Sequence, residues 1–142
     1  MNNTIEAINW ESEYKLGDEL VDEQHHQLLM LVSELIESQC YDSDTAKLKE
    51  MLDYIVDCAV QHFNDEEALQ VNYNFPDYAR HKQLHEDFKV TALALVKDFE
   101  ESGSAVELRK NLSTIVLTWL TNHIVQEDSK IGEHMHNAIR QA

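Results

Sequence analysis

Residues 45–72 read TAKLKEMLDYIVDCAVQHFNDEEALQVN, and this stretch decides the fold. Leu48, Leu52, Ile55, Ala59, His62, Glu66 and Leu69 recur at steps of three and four, the period of one helix face turned toward a core. The row is apolar until His62 and Glu66 enter it. Four residues apart they stack on the same face, so both can reach one site. An ionised carboxylate forced into a helical core without a partner costs several kcal/mol even after relaxation, so a cation must be supplied there.

The same intrusion recurs on both sides of this segment. A first helix, about 19–38, carries Val21, His25, Leu28, Val32 and Leu35. A third, about 77–101, carries His81, Leu84, His85, Phe88, Ala92, Leu95 and Phe99. A fourth carries Leu108, Leu112, Ile115, Trp119 and His123. The breaks between them are Tyr41-Asp42-Ser43-Asp44, Asn74-Phe75-Pro76 and Ser102-Gly103-Ser104. The pattern predicts an all-α, up-down four-helix bundle. An N-terminal arm, residues 1–17 with Ile5, Ile8, Trp10 and Leu16 as apolar pegs, is expected to pack across it.

Asp128 lies five residues beyond His123, which on an ideal helix turns it well away from the histidine's face. The fourth helix is therefore expected to end or distort before Asp128. Gly132 suggests a break nearby, leaving 133–142 as a short terminal segment with little apolar pattern.

The 142 residues suit one domain, 1–142, with one well-buried core, and the three Gly and one Pro leave long helices uninterrupted. A formal charge of -16 opposes nucleic acid and anionic membrane surfaces. No apolar run approaches the roughly 18 residues of a membrane span, and the N-terminus lacks the order of a secretory signal. Cys40 and Cys58 show no Cys-x-x-Cys spacing and are expected to be reduced thiols. A cytoplasmic location is expected.

A single histidine on an apolar stripe is more often a core residue than a ligand, but five together reverse that reading. His25, His62, His81, His85 and His123, with Glu66 and Asp128, exceed the four ligands of a structural zinc site. There is no His-Glu-x-x-His motif. Two metals are required, and the donor set suits iron, zinc, copper or nickel while disfavouring calcium. Two octahedral metals with both carboxylates and one solvent oxygen bridging leave one of roughly twelve positions open. Glu23 with His26, and Glu133 with His136, have the Glu-x-x-His spacing of ferritin-like di-iron sites but lie off the buried stripes. They and His134 are set aside.

The stretches INWESEYKLGDELVDEQHHQL, HFNDEEAL, NFPDYARHKQLHEDF and WLTNHIVQED stand in an order and spacing that resembles the hemerythrins, particularly the bacterial single-domain ones, along nearly the whole chain. The resemblance implies two non-heme iron ions joined by an oxygen bridge. His81, His85 and His123 would hold one iron, His25 and His62 the other, and Glu66 and Asp128 would bridge. It further implies reversible dioxygen binding at the iron with two histidines, for storage, delivery or sensing. Phe63, Trp119, Leu120 and Ile124 would wall the open position and keep water out. The alternative is a di-iron redox enzyme acting on peroxide, nitric oxide or a small substrate; iron buffering or a structural metal is a third reading.

Overall fold

The computed structural model describes residues 15–141. Among them the chain is all helical in architecture, with no strand. We label the helices α1 (Glu19–Ile36), α2 (Thr45–Asn72) and α3 (Tyr78–Ser102). A fourth rod runs without interruption through α4 (Ala105–Asn111), a π-helical segment (Leu112–Leu117), α5 (Thr118–His123), a second π-helical segment (Ile124–Asp128) and α6 (Ser129–Gln141). Each rod packs on the one before it and the fourth returns to α1, closing an up-down four-helix bundle. The arm residues Ile5, Ile8 and Trp10 lie outside the described residues.

The helix boundaries follow from local chemistry. Asp18 caps α1 by accepting the Val21 N–H at 3.1 Å, and Glu19 and Asp22 place negative charge on its first turn. A 3₁₀ turn, Asp42–Asp44, leads into α2. Asn74, at φ 52°, ends α2 in a left-handed conformation that asparagine tolerates, and Phe75 N–H closes back on the Gln70 carbonyl at 2.9 Å. Gly103 does the same for α3 at φ 62°, with its N–H on the Phe99 carbonyl at 2.8 Å. The two loops at that end are stitched together, since Asp42 Oδ1 accepts the Ala105 N–H at 2.7 Å and Arg109 donates to the Cys40 carbonyl at 2.7 Å.

Most stripe residues are buried as their spacing predicts; Leu69, Leu84 and Ala92 are half-buried, and the fourth rod departs furthest. Ile115 is 41% exposed and Trp119 is half-buried, whereas Val116 and Leu120 are in the core. Leu108, Leu112, Val116, Leu120, Ile124 and Asp128, each four beyond the last, are all buried. On an unbroken α-helix a four-residue step drifts by about 40°, and the wider π turns take that drift out. The second π segment also answers the problem of Asp128. Five residues carry it about 140° past His123 on an α-helix, but a π turn closes over five residues and brings the two into register. The rod distorts at Asp128, as its spacing requires, without ending.

The break expected at Gly132 does not occur, and residues 133–141 are helical. Helix α6 continues through them and contributes Ile131 and Met135, which with Leu16, Val21 and Phe75 form a second apolar cluster. Gly132 is there for clearance: a Cβ would stand 2.6 Å from the Leu16 carbonyl oxygen. Leu16 is fixed in that place, because Asp22 accepts the N–H groups of Leu16 and Gly17 at 2.8 and 3.1 Å. Gly132→Ala is expected to destabilise the protein by about 1–3 kcal/mol, the usual range for overpacking. The urea midpoint reads this, and an unchanged midpoint would contradict the contact.

Candidate metal centre

The helices bring all seven predicted ligand residues to one place, with the larger apolar cluster on the Leu28 and Phe63 side and the smaller one on the Val21 and Phe75 side. All seven are buried, Glu66 at 0% and Asp128 at 1% exposure. Their donor atoms fall into two groups. One contains His81, His85 and His123, the other His25 and His62, and Glu66 and Asp128 belong to both.

The carboxylates divide their oxygens between the groups. Glu66 Oε1 lies 2.8 Å from His81 Nε2 and 3.1 Å from His85 Nε2, while Oε2 lies 3.2 Å from His25 Nε2 and 3.1 Å from His62 Nε2. Asp128 Oδ1 faces His81 at 3.0 Å and His123 at 3.1 Å, and Oδ2 faces His25 at 3.0 Å. A carboxylate with one oxygen toward each of two donor clusters is shaped to bridge two cations.

The donor set fits metal better than it fits itself. The Nε2 atoms of His85 and His123 are 3.3 Å apart, and those of His123 and His81 3.2 Å. Adjacent ligands on an octahedral ion with bonds of about 2.1 Å stand about 3.0 Å apart. Both Asp128 oxygens are sealed from solvent and aligned for no hydrogen bond despite their imidazole neighbours, as is His25 Nδ1. Buried polar atoms are nearly always satisfied, so convergent unsatisfied oxygens mark the place of an ion.

Without metal, protons take the place of cations. Burial opposes charge on His25, yet the close carboxylates of Asp128 and Glu66 outweigh it and push the imidazole up to about 10. His81 is raised to about 9 by the same carboxylates against the same opposition. Burial dominates at His62 and lowers it. Burial would raise Glu66 and Asp128, but their histidine neighbours hold both below the usual carboxylate range.

Aromatic rings back the ligands. Phe63 stacks on His85 at 4.1 Å and 16° and also approaches His62 at 5.8 Å. Trp119 stacks on His123 at 4.3 Å and 11°, placing it against the three-histidine group. Leu120 and Ile124 are buried in the same apolar cluster as Phe63 and Phe88. The decoy pairs fall where their spacing off the stripes puts them: Glu23, His26, Glu133 and His136 are exposed. His134 is half-buried, its Nε2–H donating to the Tyr73 carbonyl at 2.7 Å, a helix-to-loop tie rather than a ligand.

Several polar residues escaped the sequence reading. Glu67, 8% exposed, accepts from His85 Nδ1 at 2.8 Å. Gln24 Oε1 accepts from His62 Nδ1 at 2.9 Å, and Gln24 Nε2 donates to Asp65 at 2.7 Å. Arg80 forks onto Glu127, beside Asp128, at 2.6 and 3.1 Å. The available signal was adjacency, since Gln24, Glu67 and Glu127 each precede or follow a predicted ligand. Periodicity cannot distinguish such a neighbour from a solvated residue.

A four-helix bundle with two histidine clusters sharing two buried carboxylates defines a dinuclear metal protein. Residues 16–135 match the family described as Hemerythrin HHE cation binding domain, and the chain belongs to the hemerythrin family. It is similar to the hemerythrin-like protein of Naegleria gruberi, with 34% identity over 92% of this chain and 96% of the relative. It is also similar to the bacteriohemerythrin of Stenotrophomonas maltophilia (26%; 93% and 84%) and the myohemerythrin of Theromyzon tessulatum (27%; 88% and 91%). The domain binds a non-heme di-iron centre, and dioxygen is the ligand of the family.

Proposed function

We propose that this chain binds dioxygen reversibly, in the cytoplasm, for storage, delivery or sensing, rather than turning over a substrate. His81, His85 and His123 would hold one iron, His25 and His62 the other, and Glu66 and Asp128 would bridge them. The observation that carries the reading is the unequal division of histidines around two shared carboxylates. Equal sharing of the bridges leaves the two-histidine side one donor short, and a small ligand can enter there. When bound, a ferrous pair supplies that open position and two electrons for dioxygen to accept.

The protein's part is to orient donors and exclude water. Glu66 and Asp128 hold both clusters at one spacing, because each is anchored by histidines from at least two rods. Phe63, Trp119, Leu120 and Ile124 would form the apolar wall that limits the water able to promote loss of the ligand. Beside Phe63 an apolar pocket of about 100 Å³, lined by Val56, Ala59, Phe88 and Ala92 among others, reaches toward the surface. It suits a small apolar gas better than a charged substrate.

The test is anaerobic metal analysis with a visible spectrum taken before oxygen, after oxygen and after its removal. Two irons per chain and a band that comes and goes over repeated cycles are expected. A band that forms once and decays to a ferric spectrum, with turnover of peroxide or nitric oxide, would replace carriage by redox catalysis. Zinc with no band would replace both by a structural metal.

A further inference from the structure

The two histidine clusters are held from behind by different chemistry. His85, of the three-histidine group, gives its Nδ1–H to a carboxylate, Glu67 Oε2, at 2.8 Å, with both residues buried. His62, of the two-histidine group, gives its Nδ1–H to a neutral amide, Gln24 Oε1, at 2.9 Å. Negative charge reaches His62 only at one remove, because Gln24 Nε2 donates to Asp65 Oδ2 at 2.7 Å while Asp65 Oδ1 also accepts from Gln61 at 3.0 Å. Neither Glu67 nor Gln24 belongs to either donor group.

A ligating imidazole whose far N–H is hydrogen-bonded to a carboxylate becomes a more basic donor. A charge-assisted bond is roughly twice as strong as a neutral one, and the difference grows in a water-free interior. We infer that Glu67 and Gln24 are positioning residues that make the two metals electronically unequal. The carboxylate behind His85 enriches the three-histidine metal, and the amide behind His62 leaves the open metal the stronger Lewis acid. The inequality serves a site that must lose electrons to its ligand and recover them: one metal is eased toward oxidation, while the other keeps its affinity for an incoming donor. The inference rests on the two-metal assignment above but not on reversible dioxygen binding.

The test is an anaerobic redox titration of the iron-loaded full chain. Glu67→Gln keeps an acceptor oxygen and removes the charge; it is expected to raise the midpoint by a tenfold change in equilibrium constant or more, about 59 mV for one electron. Gln24→Glu is expected to lower it. A Glu67→Gln protein that holds two irons at an unchanged midpoint overturns the inference, as do shifts of the same sign in both variants. If Glu67→Gln fails to load, Gln24→Glu decides alone, a lowered midpoint supporting the inference and an unchanged or raised one overturning it. In the zinc-loaded protein, the His85 Nδ1 proton resonance should move upfield in Glu67→Gln while that of His62 stays, which a packing role would not produce. Because the titration excludes oxygen, failure of the dioxygen reading leaves this result interpretable.

Discussion

Glu66→Ala is expected to abolish the metal pair, lowering stoichiometry from two irons per chain to one at most and weakening what remains by more than about 100-fold. Loss of an outer partner alone typically costs 10–100-fold, and Glu66 is nearer than that. Its two oxygens stand 2.8–3.2 Å from four imidazoles, one oxygen on each side of the centre. The alanine variant would leave Asp128 as the sole carboxylate shared by five histidines. In the metal-free variant His25 and His81 should also titrate lower, because one of the two carboxylates raising them is gone. Metal analysis by mass spectrometry and histidine NMR read the two effects, with His26→Ala as the control expected to keep both irons and the wild-type spectrum. Normal stoichiometry in Glu66→Ala would refute the bridge, and a metal-poor His26→Ala would mean that the first-rod ligand is misassigned.

Removing the metals should make stability depend on pH with a definite sign. In the metal-free fold, protonated His25 and His81 balance Glu66 and Asp128. The folded-state values, about 10 and about 9, lie above the ordinary 6.5 of an unfolded histidine. A raised value means the folded state holds protons that the unfolded chain has released. That stabilisation is complete below about pH 6.5 and is lost as pH rises through about 9 to 10. The metal-free protein should therefore lose about a few kcal/mol between pH 6.5 and 10, as two buried carboxylates are stripped of their counter-charges. The loaded protein should change far less over the same range, since its cations do not titrate. Loading at neutral pH should release protons, measurable with a pH indicator in weak buffer. Metal-free stability that is flat or rises from pH 6.5 to 10 would contradict this balance.

Some of these properties are local, and the sequence carries them openly. Rows such as Leu48-Leu52-Ile55-Ala59 announce helices because burial repeats at the helix period, and the histidines and Glu66 stand out by breaking those rows. The loops at Asp42, Asn74 and Gly103 are legible because cap and turn chemistry is short-range. The misreadings are of a different kind. Ile115 faces inward only at an α period, and the π segment shifts the buried face by one residue to Val116. Gly132 reads as a helix breaker by type, yet it is a contact residue whose reason lies 116 positions earlier, in the Leu16 backbone.

The sequence by itself determined four helices, the burial of the five histidines and Glu66, and the need for cations beside them, since each follows from the period of a row or from the cost of a buried charge. The resemblance to the hemerythrins already implied the three-and-two division; only the tertiary structure decided which oxygen of each carboxylate faces which group and what stands behind the imidazoles. The splitting of the Glu66 and Asp128 oxygens between the groups, and the pairing of Glu67 with His85 and Gln24 with His62, join residues up to 103 positions apart. Such pairings depend on rod rotation and on the π turn at Asp128, quantities of a few ångströms that no local spacing encodes.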